Sequence, residues 1–570
     1  MNPLDYLVLF GTMLGITAYG LWRTRGQHGL SGYLKGSGTT GWFTIGLSVM
    51  ATQASAITFI STPGQGYEDG LGFVQNYFAM PLALIIVAAV FLPMYRRLNI
   101  YTAYEFLGQR FDAKTRLLGA GFFLLQRGLG AGITIYAPAI VLSTVFGWPL
   151  GLTIIFSGLL VIVYTVIGGN EAVSVTQKYQ VMVIFGGMAI SFVLLLARLP
   201  VTLPEALTLA GTFHKLNAVD FSPDLHRRYT FWSGMFGGLC LMLSYFGADQ
   251  SQVQRYISAA SLRESRLGLM FNAICKIPMQ FLILFLGVLM FVFYQFQPPP
   301  VYFNQTSWQA AAQQHGGQFH AIEQQFAAAS ARKEQSLRAW LDARHRHDPD
   351  TEAVARARAL DAQQQSEAAR DAARAALRSS DVHAQTNDGD YVFITFILTQ
   401  LPHGVIGLLV AAFFAAALSS KAAELSALGS TTVVDFYRHL IKREANDAHY
   451  VKASKWFTAM WGLVALGFAL FAHLAENLIQ AVNIIGSVFY GVVLGLFLAA
   501  FFLRWVRGTA VFWGALLAEG LVFFLYFSLK NTPREISYLW YNLIGCAACV
   551  LFSLALQAVS ADTETARPVA

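Results

Sequence analysis

Charged side chains are scarce in this chain. Asp, Glu, Lys and Arg supply 12% of its 570 residues, against 55% hydrophobic, too little polar surface to coat a water-soluble globule of this size. Cysteine is rarer still: Cys240, Cys275, Cys546 and Cys549 all lie in apolar segments, where a thiol packs as a small hydrophobe. Cys546 and Cys549 form a CxxC without partner ligands inside one apolar run, which argues against metal or redox chemistry. The sequence has no metal-ligand cluster, phosphate loop or Ser/His/Asp constellation, so it does not read as an enzyme. His403, beside Pro402, reads as a helix-start residue. The formal net charge of +7 is spread between apolar runs with no basic domain, which excludes a nucleic-acid partner. The start, MNPLDYLVLFGTMLGITAYGLW, has neither a basic n-region nor a small-residue cleavage site and is expected to be retained as a helix.

What is abundant is apolar runs about 20 residues long, the length needed to cross a hydrocarbon core of roughly 30 Å. They are continuous, not alternating, which predicts helices and excludes a β-barrel. About thirteen spans are expected: 4–22, 42–62, 72–94, 117–146, 150–168, 174–198, 231–250, 268–296, 391–434, 456–474, 478–503, 508–528 and 538–557. Lys and Arg gather in alternate loops, notably Arg96, Arg97, Arg110, Lys114 and Arg116, then Arg438, Lys442, Arg443, Lys452 and Lys455. The positive-inside rule then puts the amino terminus outside and the carboxyl terminus in the cytoplasm of a bacterial inner membrane.

Residues 297–390 break this pattern, with Pro298, Pro299 and Pro300 leading into a stretch of Ala, Gln, Arg and Glu. These are strong helix formers with few large apolar side chains, so the expectation is an extracytoplasmic helical hairpin without a core of its own. A spacer is the plainest role for it, with solute capture or partner binding as the alternative.

Two small-residue clusters carry the chemistry. In GLSVMATQASAITFISTPGQG, residues 46–66, small residues allow either close helix packing or an unwound turn that exposes carbonyl oxygens to a cation. In AAFFAAALSSKAAELSALGS, Ser419 and Ser420 place two hydroxyls side by side. A hard cation such as sodium prefers oxygen ligands, and carbonyls from both clusters with the two hydroxyls would make a five-oxygen cage.

Taken in order, GYLKGSGTTGWFTIGLSVMATQASAITFISTPGQGY, YEFLGQRF, IYAPAIVL, YTVIGGNEAVSVTQKYQ, SYFGADQSQVQRY and LSSKAAELSALGSTTVVDFYR resemble the sodium:solute symporter family. YEFLGQRF and IYAPAIVL are most similar to its branch of monocarboxylate, multivitamin and iodide carriers and their bacterial relatives. The resemblance implies an all-α polytopic membrane protein with a five-plus-five inverted repeat and broken first and sixth core helices. It places an extra helix at 1–22, one repeat at 42–198, its inverted partner at 231–503 interrupted by the insertion, and two further helices at 508–557. It also implies a sodium site of the Ala51, Ala54 and Ala416 carbonyls with the Ser419 and Ser420 hydroxyls. Substrate contacts implied by family position are Gln53, Thr58, Tyr77, Met80, Met242, Lys276 and Asn483, with Ser244, Tyr245, Phe246 and Asp249 from the broken sixth core helix.

The chain departs from the family pattern where some members carry a second sodium: Gln177, Ala422 and Ala423 stand at those positions, so one sodium is expected. Ile57, Met80 and Met242 are apolar where sugar-transporting members are polar, and a sugar would leave hydroxyls unpaired there. Lys421 and Glu424, three residues apart, can pair along one helix face; a tethered cation replacing the second sodium is the alternative. Arg127 sits in a core helix that lines the cavity in this family, and its guanidinium suits a two-pronged carboxylate contact, a structural pair, or a position snorkelling to the surface. Lys276 offers a second cation, near the cytoplasmic end of its helix.

The expectation is a monomeric sodium-coupled symporter importing a small carboxylate across the bilayer. A sugar or amino acid as solute, proton coupling, and a transporter-like receptor are the alternatives. The polar tail after 557 is too short for a signalling domain.

Overall fold

A computed structural model describes the backbone of residues 1–23, 40–98, 100–380, 387–471 and 477–560, without side chains at 16–23, 167–176, 178 and 419. In chain order the helices are α1 (Pro3–Arg23), α2 (Trp42–Gln53), α3 (Ala56–Asp69), α4 (Met80–Ile86, continuing through a π turn, Val87–Phe91, into Leu92–Leu98), α5 (Ala103–Arg110), α6 (Ala113–Phe146) and α7 (Leu150–Arg198). There follow α8 (Leu203–Thr212), α9 (Gly238–Gly247), α10 (Gln250–Ile257), α11 (Leu262–Phe296), α12 (Gln305–Gln314), α13 (Gly316–His345) and α14 (Pro349–Ser380). The last six are α15 (Gly389–Gln400), α16 (Val405–Thr431, then a π turn, Thr432–Ile441), α17 (Asp447–Phe471), α18 (Leu478–Phe502), α19 (Gly508–Leu529) and α20 (Tyr538–Val559).

Each expected span falls largely on helix. Among the described residues nine helical runs are long and apolar enough to cross a membrane, with shorter apolar helices at Pro3–Gly15, Leu150–Val166 and Ser233–Gly247. Two boundaries differ from expectation. The run 391–434 is two helices, because Pro402 and Gly404, the latter at φ 88°, end α15 and restart the chain as α16. The break expected between 168 and 174 is absent from the backbone: α7 runs through Gly168 and Gly169, which cost a helix only about 1 kcal/mol each.

Helix packing around the centre depends on missing side chains. A Cβ on Gly66 would sit 2.2 Å from the Leu284 carbonyl oxygen, and one on Gly287 would sit 2.1 Å from that of Pro63. Glycines on both faces therefore let α3 and α11 touch backbone to backbone.

The insertion corrects another expectation, since it does build a core. Trp308, Phe319, Ile322 and Phe326 pack against Ala373, Ala376 and Leu377 of α14. Alanines bring α13 and α14 close enough for a few aromatic knobs to fill the seam, which a count of large apolar residues undervalues. The hairpin is also tied down. Buried Asp388, just before α15, accepts hydrogen bonds from the Phe303 amide at 2.7 Å, Arg370 at 2.9 Å and Arg374 at 3.1 Å. Arg370 also donates to the Tyr67 hydroxyl at 3.5 Å, and Arg374 pairs with Glu68 at 3.5 Å, so the hairpin grips the end of α3.

Candidate functional site

Two helix breaks face the middle of the bundle, and they treat their carbonyls differently. The first lies between α2 and α3, where Ala54 leaves helical geometry at φ −87°, ψ 67° and Ser55 is extended. The Ala54 amide still reaches the Met50 carbonyl at 2.6 Å, but no hydrogen bond reaches the carbonyls of Ala51 or Ala54 among the described residues. The second lies between α9 and α10, at Ala248 and Asp249. There the Tyr95 hydroxyl donates to the Gly247 carbonyl at 2.5 Å and the Tyr104 hydroxyl to that of Ala248 at 2.9 Å. A helix end in a bilayer must satisfy its carbonyls somewhere. The second break does so with tyrosines, whereas the first leaves oxygens for another donor or a cation.

Helix α16, which carries the second small-residue cluster, packs against α2 and α7. Ala416 and Ser420 are buried, and Ser420 Oγ donates only a long 3.5 Å bond to the Ala417 carbonyl. The Ser419 side chain lies outside the described residues. Gln177, on α7, accepts from Ser48 Oγ at 2.7 Å and donates to Thr52 Oγ1 at 3.5 Å. Gln177 thus ties α7 to α2 through a neutral amide.

A cavity of about 100 Å³ opens beside the first break. Of the residues implied by sequence, Gln53, Thr58, Tyr77, Arg127, Tyr245 and Asn483 line it, as do Ile57 and Met242. Phe246, Asp249 and Lys276 are buried but do not line it. Asp249 caps α10, accepting from the Ser251 amide at 2.9 Å, and Phe246 packs in the core. Lys276 stands fourteen residues into α11, well away from the helix end expected for it, with its ammonium 5.5 Å from the Tyr77 ring centre and no hydrogen bond among the described residues. The helix starts at Leu262, earlier than its apolar run suggests, because Ser261 caps it by accepting from the Glu264 amide. Met80 Sδ receives a 3.9 Å contact from Gln53 Nε2, and Ser244 is fully buried. Sequence reasoning missed Asn76, Thr134 and Tyr490 as lining residues, for none stands in a motif.

One end of the cavity is closed by charge. Arg127 Nε donates to Asp249 Oδ2 at 2.9 Å, its Nη2 bonds the same oxygen and the Tyr490 hydroxyl at 3.0 Å, and Nη1 reaches Glu424 Oε1 at 3.4 Å. Glu424 also accepts from Lys421 Nζ at 2.6 Å and Thr134 Oγ1 at 3.3 Å. Arg127 is therefore a paired, buried side chain, and Lys421 and Glu424 do pair along α16. Two cations meet two anions, so the cluster is neutral, as burial in a membrane demands. A second buried polar group is built from amides. Gln65 Oε1 accepts from Asn477 at 2.6 Å and Gln480 at 2.7 Å, and Gln480 accepts from Arg228 at 2.9 Å. Both polar groups touch α18, and Tyr490 lies ten residues beyond Gln480, about 15 Å along it at 1.5 Å per residue.

A family model described as the sodium:solute symporter family matches residues 33–313 and 372–518. The chain belongs to the sodium:solute symporter family. The match leaves out 314–371, most of the hairpin. The human sodium/iodide cotransporter is 33% identical over 296 residues, 51% of this chain and 45% of that protein, so the match spans under half of that relative. The sodium/sialic acid symporter of Proteus mirabilis (strain HI4320) is 24% identical over 579 residues, 99% of this chain and 98% of that one. A solved structure of a sodium-coupled sialic acid symporter, substrate-bound and outward-open, superposes with a TM-score of 0.74 at 22% identity, covering 99% of each chain. The fold is thus the inverted-repeat architecture of sodium-coupled symporters. These relatives are transporters, not enzymes.

Proposed function

We propose that this protein is a sodium-coupled symporter of a bacterial inner membrane that imports a small carboxylate by alternating access. The unsatisfied carbonyls of Ala51 and Ala54, in contrast to the tyrosine-capped second break, carry this reading. With the Ala416 carbonyl and the Ser419 and Ser420 hydroxyls they make an oxygen-only cage of the kind a hard monovalent cation selects. Family relatives named for sodium cotransport support the choice of ion. An inside-negative potential supplies about 2.3 kcal/mol per 100 mV for each sodium, enough for tens-fold accumulation at about 1.4 kcal/mol per tenfold. The amino terminus and the insertion face outward by the positive-inside argument, the protein works as a monomer, and the repeats run 42–198 and 231–503.

The geometry at Arg127 supports a carboxylate. Asp249 holds one edge of the guanidinium tightly, but Nη1 has only the 3.4 Å contact to Glu424, which Lys421 already neutralises. A solute carboxylate can take Nη1 without stranding an anion. Gln53, Thr58, Tyr77, Tyr245 and Asn483 line the space for the rest of the solute, and Lys276 behind Tyr77, with Phe246 and Asp249, makes up the second layer. The small cavity, below the roughly 300–1,000 Å³ of pockets for drug-sized ligands, favours a small solute.

The test is uptake into proteoliposomes of labelled carboxylates, sugars and amino acids, with sodium or potassium outside. At least one carboxylate should enter only with sodium, and Arg127→Gln should abolish its uptake in a protein that still elutes as a folded species. Sodium-independent uptake by the wild type would overturn the coupling, and wild-type uptake by Arg127→Gln would overturn the carboxylate contact.

A further inference from the structure

A second cavity, larger than the one beside the first helix break, lies under the hairpin. A chamber of about 890 Å³ lies between the hairpin and the end of the bundle, with Tyr67 and Glu68 of α3 on one side and α13 and α14 on the other. Most of its charges are already spoken for. Arg370 and Arg374 are held by Asp388, Glu367 accepts from Gln363 at 2.7 Å, and Lys215 donates to the Glu68 carbonyl and lies 4.6 Å from the Phe291 ring centre. Arg374 also pairs with Glu68 at 3.5 Å and Asp371 at 3.4 Å.

Lys333 is different. It lines the chamber at 4% exposure, yet its ammonium makes no hydrogen bond or ion pair among the described residues. An unpaired buried cation is costly unless something neutralises it. Two buried acceptors among the residues lining the chamber are also without donors, Gln295 Oε1 on α11 and Gln363 Oε1 on α14. Their amide nitrogens are used, toward the Phe291 carbonyl at 3.3 Å and Glu367, so neither side chain can flip to mend the deficit without losing a bond. The lining thus offers one cationic donor without a hydrogen-bond partner and two neutral acceptors without donors. Sulfate or acetate satisfies only the first, and a neutral sugar only the others. A ligand with both a carboxylate and hydroxyl groups satisfies all three.

We propose that this chamber is a binding site for a hydroxylated carboxylate, with the carboxylate on Lys333 and hydroxyl groups donating to Gln295 and Gln363. The site is separate from the membrane cavity and needs no sodium. Most of the hairpin that walls it, 314–371, lies outside the residues that the family model matches. Its floor is the end of α3, the helix that carries Thr58 into the membrane cavity.

The test is calorimetric titration of the full-length protein in detergent, in sodium-free potassium buffer at pH 7, with D-gluconate as probe and acetate and D-glucose as its two halves. Gluconate should bind saturably, at least tenfold more tightly than either half. Lys333→Met should weaken it at least tenfold without lowering the melting temperature, since it removes an unpaired charge, and Lys333→Arg should restore binding to within threefold. Arg127→Gln should leave it unchanged, which separates this site from the transport site. No saturable gluconate binding to the wild type, full binding by Lys333→Met, or loss of binding in Arg127→Gln would each overturn the proposal.

Discussion

The four buried charges Arg127, Asp249, Lys421 and Glu424 show how far residue-level reasoning carries. Lys421 and Glu424 are legible as a pair because helix periodicity alone puts them on one face. The bond from Arg127 to Asp249 was not, since the partners are 122 residues apart and only the break at Ala248 turns Asp249 toward α6. Removing one member of a buried pair costs roughly 3–5 kcal/mol because it strands the other. Glu424→Gln should therefore lower the melting temperature clearly, and Lys421→Met with Glu424→Gln should recover most of the loss. Equal melting of single and double variants would show that the charges do not depend on one another. Lys333 makes a pH prediction. Burial, with Arg370 nearby, pushes its ammonium down to about 8, while Glu367 opposes the shift. Its folded pKa lies below the ordinary lysine value, so the positive charge that would hold a carboxylate is present below about 8 and is lost as pH rises through it. Gluconate affinity should fall at least fivefold between pH 7 and 9.5; a flat profile contradicts the role of Lys333.

At the scale of elements, every expected span proved helical, because continuous apolar length is a direct consequence of bilayer thickness. What was not legible is tertiary. The core of the hairpin comes from alanine-lined contact between α13 and α14, which large-residue counts miss, and its attachment runs through Asp388, an ordinary loop acid until three donors converge on it. Asp388→Asn should leave the membrane helices intact but loosen the hairpin, seen as faster amide exchange in α13 and α14 than in α16 or α18. Unchanged exchange would mean the packed seam alone holds it. The break at residues 54–55 was legible as a cluster of small residues, but whether its oxygens are covered was not, because Tyr95 and Tyr104, which cover the other break, sit far away in sequence.

For the whole molecule, the two polar groups on α18 imply that each must open in turn: the Gln65–Asn477–Gln480 amides toward the insertion side, and the Arg127–Asp249–Tyr490 cluster toward the other. Weakening the first should favour opening on the insertion side. A cysteine introduced by Asn483→Cys should then react several-fold faster with an impermeant thiol reagent when Gln65→Leu is added; an unchanged rate would show that these amides are not the barrier. All of this rests on a cation site at the first helix break, and radioactive sodium binding to the purified protein tests it most directly, because it requires no knowledge of the solute. Saturable binding of one sodium per chain, not displaced by potassium and weakened at least tenfold by Ser419→Ala with Ser420→Ala, is the expected result. No saturable sodium binding, or binding indifferent to those two hydroxyls, would contradict it.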